Sequence, residues 1–447
     1  MRKVLIANRG EIAVRIIRAC HDLGLQTVAV YSQADAESLH VLHADEAICI
    51  GEASVQKSYL RIPNILSVCE ITGADAIHPG YGFLSENPDF ASICESCGIN
   101  FIGPSPDSIS LLGDKAKAKE TARKASCPVI PGSHGVVESF EEALEEAERL
   151  SYPVFVKAVA GGGGRGIRIA RNQKELAVQF VAAKTEAGAS FNNPAVYIEK
   201  MILNPRHVEV QIVGDKHGNY LYLGERDCSI QRRRQKLIEE APSPIVSEKL
   251  REEMGKAAIR VAKAANYFSV GTVEFLIDGE KNFYFMEMNT RIQVEHTVTE
   301  ELTGCDLVVE QLRIAMGEKI LLRQKDVNYK GHVIQCRINA EDPSRKFVPS
   351  PGRLEYYLPP GGPNVRVDSA CYTGYNISPY YDSMIAKLIV SGKDRSEAIS
   401  RLKRALREFY IGGVKSTIPF HLRMLEDDCF LKSDYDLSYV DEVFSQD

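Results

Sequence analysis

The first hundred residues alternate between short apolar runs and a segment with helical spacing. Val4–Ala7 and Thr27–Tyr31 are apolar runs of strand length, and Glu11–Leu23 places apolar side chains three and four positions apart, with Gly24 as a stop. This strand–helix–strand order predicts a parallel sheet with helices on both faces. The turn Asn8-Arg9-Gly10 holds one glycine, so the dinucleotide-binding pattern G-x-G-x-x-G is absent there.

A glycine-rich loop separates two strand-like runs in the middle of the chain. Strands are predicted at 152–157 and 167–170, a third at 195–200, and the loop at 160–166 reads Ala-Gly-Gly-Gly-Gly-Arg-Gly. Consecutive glycines let the backbone approach a ligand, and their N–H groups can surround phosphate oxygens. Ile167-Arg168 replaces the Lys-Ser/Thr of a Walker loop. The pattern therefore predicts a hinged flap over a triphosphate, with a flexible linker as the alternative.

Two lysines can supply the positive charge that the missing Walker lysine would have given. Lys157 ends the apolar strand before the loop, and Lys115 lies in a helix predicted to follow the boundary at Gly103–Pro106 and to contain Gly113-Asp114-Lys115. A lone lysine is usually just solvated. An unpaired ammonium group at the end of a buried strand is costly, however, so this placement favours a phosphate contact for Lys157.

Two apolar runs around a polar turn predict a hairpin over residues 274–287. If the turn is centred between Glu280 and Lys281, Glu274 lies opposite Glu287. Facing carboxylates repel each other unless something positive lies between them. Mg²⁺ binds carboxylate oxygens together with substrate phosphates, so the pair predicts a magnesium site. Relief of the repulsion by an arginine or a lysine is the alternative.

Every odd position from 287 to 295 holds a side chain that can do chemistry, namely Glu287, Asn289, Arg291, Gln293 and Glu295. In an extended segment the side chains alternate between two faces, so we expect these five on one face of a strand. An ordinary half-buried strand also alternates, but it rarely presents so many functional groups. The row predicts metal ligands, a guanidinium group and a further carboxylate in one site.

A cluster of four cationic side chains stands out in an otherwise acidic chain. Arg232, Arg233, Arg234 and Lys236 fall within five positions. Such a cluster suits a small anion. The alternative is a solvated face that is balanced by Glu239 and Glu240.

Composition narrows the classes of function. With 447 residues the chain is long enough for about three domains. A net charge of −6 gives nucleic-acid binding no electrostatic support, and no apolar run approaches the ~20 residues that span a bilayer. The first eight residues lead directly into a strand without a targeting segment. Eleven scattered cysteines favour free thiols in a reducing compartment, so we expect a cytoplasmic protein.

Five motifs resemble those of biotin carboxylase, a family of the ATP-grasp superfamily. They are Ile6–Ala13 (IANRGEIA), His78–Asn87 (HPGYGFLSEN), Gln231–Lys236 (QRRRQK), Glu287–His296 (EMNTRIQVEH) and Arg337–Asp342 (RINAED). The resemblance covers essentially the full chain. It implies an α/β and α+β architecture with an N-terminal βαβ parallel-sheet domain at 1–113, an ATP-grasp core at 114–330 whose mobile glycine-rich lid covers about 130–203, and a C-terminal mixed α+β domain at 331–447.

The resemblance also implies a role for each matching position. Glu295 matches the base that deprotonates bicarbonate, and Arg337 matches the residue that holds biotin as its ureido oxygen gains negative charge. The implied contacts to bicarbonate are Lys236, Arg291, Gln293 and Val294. The implied ligands of one or two Mg²⁺ (or Mn²⁺) ions are Glu274, Glu287 and Asn289. The implied ATP contacts are Lys115, Lys157, Gly163, Gly164, Glu199, Lys200, Met201, Ile202 and His207, and Gln231 is placed with the ligand-binding residues. Many members carry His where this chain has Arg234, so Arg234 receives little weight.

The chain contains no Ala-Met-Lys-Met turn typical of biotin-carrying domains and has no length left for a carboxyl-transferase domain. We therefore expect a stand-alone, homodimeric biotin carboxylase subunit of acetyl-CoA carboxylase. It would work with a biotin carboxyl carrier protein and carboxyl-transferase subunits, with no nucleic acid or membrane as partner. A subunit of a pyruvate or other acyl-CoA carboxylase is the alternative.

Two more distant hypotheses remain open at this point. Another ATP-grasp ligase, which activates a carboxylate for an amine, would cleave ATP with bicarbonate but independently of biotin. A catalytically idle ATP-binding regulator would have no need of the base Glu295.

Overall fold

The computed structural model describes residues 1–133, 135–159, 166–191 and 193–443. The predicted phosphate contacts Gly163 and Gly164 lie outside the described residues, as does the rest of the loop at 160–165. All eleven cysteines are free thiols, as the sequence predicted. No helix among the described residues combines the length and the hydropathy that crossing a bilayer requires.

The N-terminal part forms a five-stranded parallel sheet in the order β3-β2-β1-β4-β5. Alternate residues of β1 enter different cores, because Val4 and Ile6 pack with α1 whereas Leu5 packs with α3 and α4. The predicted parallel sheet with helices on both faces is therefore confirmed. Its elements are β1 (Lys3–Ile6), α1 (Gly10–Asp22), β2 (Gln26–Ser32), α2 (Leu39–His43), β3 (Glu46–Gly51), α3 (Ile62–Thr72), β4 (Ala76–His78), α4 (Pro88–Ser96) and β5 (Asn100–Phe101).

The segment after this sheet holds two helices, α5 (Pro106–Gly113) and α6 (Lys115–Lys124). The prediction of one helix through Gly113-Asp114-Lys115 is wrong. Asp114 has an extended backbone (φ −81°, ψ 112°), and its carboxylate accepts hydrogen bonds from the backbone N–H groups of Ala116 and Lys117 at 3.0 and 3.1 Å. Asp114 therefore ends one helix and caps the next.

A small antiparallel sheet in the order β7-β6-β8 follows. Its three strands confirm those predicted around the glycine loop, and β6 and β7 form the hairpin that this loop joins. The sequence did not indicate the two helices that bury one face of this sheet, through residues such as Ala143 and Leu176. The elements are α7 (Phe140–Leu150), β6 (Val154–Ala158), β7 (Ile167–Ala170), α8 (Gln173–Phe191) and β8 (Val196–Lys200).

The largest element is an eight-stranded antiparallel sheet in the order β13-β12-β9-β10-β11-β14-β21-β19. Five strands come from residues before 290 and three from residues after 331, so the sheet continues across the predicted boundary at 330. The predicted domain limits stay a prediction. The first five strands and the neighbouring helices are β9 (Arg206–Gly214), β10 (Tyr220–Arg232), β11 (Gln235–Ala241), α9 (Glu248–Ala264), β12 (Ser269–Ile277), β13 (Phe283–Asn289), α10 (His296–Thr303) and α11 (Leu307–Ala315).

The C-terminal part completes the large sheet and packs a separate core against it. That core contains residues of α12 and α13, including Leu402 and Phe420, against the strands at the end of the sheet. The elements are β14 (His332–Asn339), β15 (Glu341–Asp342), β16 (Val348–Pro349), β17 (Gly352–Arg353), β18 (Tyr356–Leu358), β19 (Val365–Ser369), β20 (Asn376–Ile377), β21 (Met384–Gly392), α12 (Arg395–Glu408), β22 (Tyr410–Gly412), α13 (Ile418–Met424), α14 (Asp428–Lys432) and α15 (Tyr439–Val443).

Replacing Gly255 in the interior of α9 by alanine is expected to destabilise the fold. Alanine normally stabilises a helix interior by about 1 kcal/mol relative to glycine. Here the added Cβ would lie 2.5 Å from Cγ and Cδ2 of the Tyr222 ring, and overpacking of this kind typically costs about 1–3 kcal/mol. We expect the midpoint of thermal unfolding to fall in Gly255→Ala. In a Tyr222→Ala background the same change should raise it, and a rise in the unmodified background would contradict this packing.

Candidate active site

The hairpin formed by β12 and β13 places Glu274 directly opposite Glu287, as predicted. Close to the turn, however, Ile277 pairs with Phe283, so the turn is centred on Glu280 and not between Glu280 and Lys281. An irregularity between Glu274 and Phe275 shifts the register by one residue and restores the carboxylate pair.

The expected single strand from Glu287 to Glu295 is wrong beyond Asn289, where β13 ends. Glu295 is the residue that precedes α10 (φ −83°, ψ 8°). In the turn between them the side chain of Ile292 is fully buried, and the Nδ1 atom of His296 lies 2.7 Å from the carbonyl oxygen of Gln293. The functional side chains nevertheless converge, since the turn directs them toward the same part of the large sheet.

The ammonium group of Lys236 on β11 is the centre of this convergence. It donates hydrogen bonds to Glu209 and Glu295, both at 2.6 Å, and to Glu274 at 3.1 Å. Three acceptors match the three protons of the ammonium group. Burial by itself lowers the pKa of Lys236, but the three carboxylates raise it well above its ordinary value.

Of the four clustered cations, only Lys236 faces the buried carboxylates. Arg232 lies over the ring of Phe347 at 4.7 Å. Arg233 and Arg234 form the exposed turn between β10 and β11, with φ of 47° and 68°. Of this cluster, Lys236 is therefore the member that lies at the buried carboxylates, and binding of a small anion by the whole cluster stays a prediction.

The carboxylate of Glu295 is held between two cations. One oxygen accepts from Lys236, and the other accepts from the guanidinium of Arg337 on β14 at 3.0 Å. Burial raises the pKa of Glu295, but the neighbouring positive charges outweigh it and hold this pKa far below its usual range. Arg337 also donates to Glu239 at 2.6 Å, which fixes the direction of its guanidinium.

Glu274 and Glu287 differ in their surroundings although they face each other. Besides Lys236, Glu274 accepts hydrogen bonds from Asn289 (2.9 Å) and Gln293 (3.0 Å). Burial alone would raise the pKa of Glu274, but the charges of Lys236 and His207 hold it well below its ordinary value. No side-chain donor among the described residues binds the Glu287 carboxylate. Burial and the charge of Glu274 therefore raise the pKa of Glu287.

This contrast fits the predicted metal ligands. Two carboxylates and the amide oxygen of Asn289 give an all-oxygen donor set, which suits a hard divalent cation. A cation would also relieve the repulsion at Glu287. A second group, His207, Glu209 and Glu274, could also hold an ion by its spacing. Lys236 already binds two of its members, however, so an ion there would have to displace the ammonium group.

Arg226 on β10 is a fully buried residue that the sequence analysis missed. Its five N–H groups all have acceptors, including Glu209 at 2.5 Å and Gln293 at 2.9 Å, together with Gln211, Thr272 and Thr299. It thereby fixes both Glu209 and Gln293. The sequence signal was the polar side chains within the buried strands β9 and β10, which an ordinary core strand would not contain.

Arg291 is positioned by a second residue that the sequence analysis missed. Its Nε donates to Glu86 at 2.8 Å, and another nitrogen donates to the amide oxygen of Asn289 at 3.1 Å. Glu86 lies in the N-terminal part, 205 residues earlier in the chain. No local pattern indicates a contact over that separation.

The predicted nucleotide contacts lie on and around the small sheet and the first strands of the large one. Lys157 and Lys119 both bind the carboxylate of Glu199, and Lys119 was not predicted. Burial lowers the pKa of Lys157 despite this pairing. The Nζ of Lys200 donates to the carbonyl of Ser151. Further members are Lys115 at the start of α6, Met201 and Ile202 after β8, and His207, whose Nδ1 lies 3.1 Å from the amide nitrogen of Gln231.

Known proteins match this chain over nearly its whole length. Three family models match: Biotin carboxylase, N-terminal domain, at residues 1–109, Carbamoyl-phosphate synthase L chain, ATP binding domain, at 114–323, and Biotin carboxylase C-terminal domain at 335–442. Biotin carboxylase 1 of Bacillus subtilis is 57% identical over 442 residues, which cover 99% of this chain and 98% of the relative. A pyruvate carboxylase subunit of Methanothermobacter thermautotrophicus is 52% identical, with 98% and 89% covered.

A solved structure gives the same result. The biotin carboxylase domain dimer of Hydrogenobacter thermophilus 2-oxoglutarate carboxylase, in complex with MgADP, ADP and bicarbonate, superimposes with a TM-score of 0.90. It is 50% identical, and the match covers 99% of this chain and 97% of that one. The chain therefore belongs to the biotin carboxylase family of ATP-grasp enzymes.

Proposed function

We propose that the chain uses ATP and bicarbonate to carboxylate biotin that is attached to a separate biotin carboxyl carrier protein, through carboxyphosphate. The observation that carries this proposal is the buried carboxylate of Glu295 between Lys236 and Arg337, beside the oxygen donors of Glu274, Glu287 and Asn289. A proton acceptor, anion-binding cations and metal ligands then lie in one site. An idle ATP-binding protein would need no such acceptor.

Glu295 is the base in the first step. Bicarbonate binds to Lys236, Arg291, Gln293 and Val294, and its proton passes to Glu295. Held by two cations, Glu295 is a weak base. A bound anion that shares the hydrogen bonds of Lys236 would raise its pKa toward a useful value. The deprotonated oxygen then forms a bond to the γ-phosphorus as the bond to ADP breaks, and positive charges around the phosphates stabilise this transfer.

Glu274, Glu287 and Asn289 would hold one or two Mg²⁺ or Mn²⁺ ions, which supply charge neutralisation for the triphosphate. Lys115 and Lys157, with the glycine loop of the lid, would contact the phosphates. Lys157 is pre-positioned for this by its ion pair with Glu199. The further ATP contacts proposed at 199–202 lie at the end of β8 and directly after it, on the border of the same small sheet.

Arg337 acts in the second step. Carboxyphosphate breaks to CO₂ and phosphate, and phosphate takes the proton from N1′ of biotin. The negative charge that develops on the ureido oxygen is stabilised by the guanidinium of Arg337, and N1′ attacks CO₂. Glu239 keeps that guanidinium in place throughout. Closure of the lid protects carboxyphosphate from water.

The chain would work in the cytoplasm as a homodimer with a carrier protein and carboxyl-transferase subunits, in the first half-reaction of acetyl-CoA carboxylase for malonyl-CoA and fatty acid synthesis. The similarity to a pyruvate carboxylase subunit supports a second candidate, in which the carboxylated carrier serves a pyruvate or other acyl-CoA carboxylase. The two candidates are distinguished by measuring carboxylation of purified carrier proteins, one from an acetyl-CoA carboxylase and one from a pyruvate carboxylase, each tested separately as the substrate.

Replacing Glu287 by glutamine should raise the Mg²⁺ concentration needed for half-maximal ATP cleavage by on the order of tenfold or more, because even outer partners of metal ligands often cost 10–100-fold in affinity. Glu287 is replaced and not Glu274, because Glu274 also accepts hydrogen bonds from Lys236 and Asn289, which its replacement would disturb. Steady-state ATP cleavage is measured against Mg²⁺ concentration. Glu280→Gln, in the exposed turn of the same hairpin, is the control, and an unchanged Mg²⁺ dependence in Glu287→Gln would remove Glu287 from the metal site.

Replacing Arg337 by alanine should separate the two steps. We expect much of the bicarbonate-dependent ATP cleavage to persist, because Lys236 still holds Glu295, while biotin carboxylation falls by about 10²-fold or more, as on loss of a donor to a developing oxyanion. Both activities are measured on one preparation. Because Arg337→Ala leaves the buried Glu239 carboxylate without its cationic partner, Arg337→Ala with Glu239→Gln is tested beside Glu239→Gln alone. Equal losses of both activities in a folded protein would place Arg337 in the wrong step.

Replacing Glu295 by glutamine tests the proposed function itself. Glutamine keeps the shape and removes the base, so we expect turnover to fall by on the order of 10²-fold or more, while binding of a non-hydrolysable ATP analogue changes little. Glu239→Gln is the matched control for bicarbonate-dependent ATP cleavage, the first step, because Glu239 is also a buried carboxylate bound to Arg337 but has no proposed role in that step. Near-normal turnover in Glu295→Gln would show that another group takes the proton.

A further inference from the structure

Lys387 on β21 is a fully buried lysine beside the proposed base that has no assigned role in the chemistry. Its side chain is 0% exposed, and its Nζ lies 3.0 Å from a carboxylate oxygen of Glu11 and 3.9 Å from one of Asp368. The same nitrogen donates a hydrogen bond of 3.1 Å to the backbone carbonyl of Val294. An ammonium group is expensive to bury, so its three partners define a specific position for it.

The register of the large sheet places Lys387 beside Arg337. The two residues are cross-strand partners in the β14–β21 pair, and Lys387 is also opposite Asp368 in the β21–β19 pair. Directly opposite residues project from the same face of a sheet. Two neighbouring cations therefore reach the same short segment: Arg337 binds the side chain of Glu295, and Lys387 binds the carbonyl of the residue before it.

The segment that Lys387 holds is irregular and gains little from regular secondary structure. It lies between the end of β13 at Asn289 and the start of α10 at His296. Rotation of the peptide between Val294 and Glu295 would redirect the Glu295 side chain, because that peptide sets the orientation of its Cα–Cβ bond. The contact between His296 and the carbonyl of Gln293 fixes the neighbouring peptide but not this one.

Glu11 connects this contact to the N-terminal part of the chain. It lies at the start of α1, and its other carboxylate oxygen accepts a hydrogen bond from the hydroxyl group of Tyr81. The ammonium group of Lys387 thus joins three separate parts of the chain: α1, the turn before α10, and the C-terminal strands.

We propose that Lys387 is a positioning residue, which fixes the Val294–Glu295 peptide and so aims the carboxylate of Glu295 at Lys236 and Arg337. This inference rests on the proposed role of Glu295 as the base. A displacement of about 1 Å from a reactive geometry can cost on the order of 10²-fold in rate. Loss of the Lys387 hydrogen bond should therefore lower kcat more than it changes the binding of ATP.

The test compares Glu11→Gln with the double variant Glu11→Gln/Lys387→Met. The shared Glu11→Gln change prevents the double variant from leaving a buried carboxylate unpaired, so the pair differs in the donor to Val294. We expect bicarbonate-dependent turnover to fall by on the order of tenfold or more in the double variant relative to Glu11→Gln, with the KM for MgATP within about twofold. Glu11→Gln/Lys387→Arg, which keeps a charged donor at position 387, should have most of the turnover of Glu11→Gln.

A repeat of the comparison in a Glu295→Gln background separates positioning from a general loss of structure. If Lys387 acts through Glu295, removing it there should cause little further loss, because coupled residues are not additive. Equal fractional losses in both backgrounds, or equal turnover in Glu11→Gln and the double variant, would overturn the inference. Normal turnover in Glu295→Gln alone would instead refute the proposed base, and the inference with it. If the methionine variant does not fold, Glu11→Gln/Lys387→Leu replaces it, since leucine also lacks a donor to Val294.

Discussion

The carboxylates of Glu209, Glu274 and Glu295 are held together by a single ammonium group, that of Lys236. All three are buried, so their mutual repulsion is poorly screened, and removal of one partner from a buried ion pair typically costs about 3–5 kcal/mol. Arg226 binds the second oxygen of Glu209 and Arg337 binds the second oxygen of Glu295, so three cations face the three carboxylates. The proposed metal ligand Glu274 and the proposed base Glu295 both bind Lys236, whose charge offsets their mutual repulsion.

The large antiparallel sheet makes this arrangement possible. Glu209, Lys236, Glu274 and Arg337 come from four different strands, β9, β11, β12 and β14. Their backbones are fixed by pairing on both sides, so the charges need little rearrangement when a substrate binds. The proposed base Glu295 is the exception, because it lies in the turn before α10. Lys236 and Arg337 bind its carboxylate, and Lys387 binds the carbonyl of Val294 directly before it.

Local patterns in the sequence predicted the elements and the pairs that lie close together along the chain. The Glu274–Glu287 pair followed from a hairpin, whose register depends on a turn a few residues away. The extended row to Glu295 failed because alternation of polar and apolar residues does not by itself distinguish a strand from a turn. Beyond Asn289 the burial no longer alternates, since Ile292 and Gln293 are both buried, as are Glu295 and His296.

Contacts between distant parts of the chain could not be predicted from pattern. Glu86 meets Arg291 across 205 residues, and Lys387 meets Val294 across 93. Such pairs depend on how whole sheets pack. The motifs that resemble biotin carboxylase include the proposed base Glu295 and its cationic partners Lys236 and Arg337. They do not include Arg226 or Glu209, although Glu209 binds Lys236 and is itself bound by Arg226.

The most direct test of this account is ATP cleavage by the purified chain, measured with and without bicarbonate and with and without biotin, together with the amount of carboxybiotin formed. The account predicts that cleavage requires bicarbonate, and that carboxybiotin forms only when bicarbonate, biotin, ATP and Mg²⁺ are all present. ATP cleavage that is independent of bicarbonate, or bicarbonate-dependent cleavage without any carboxybiotin, would contradict it.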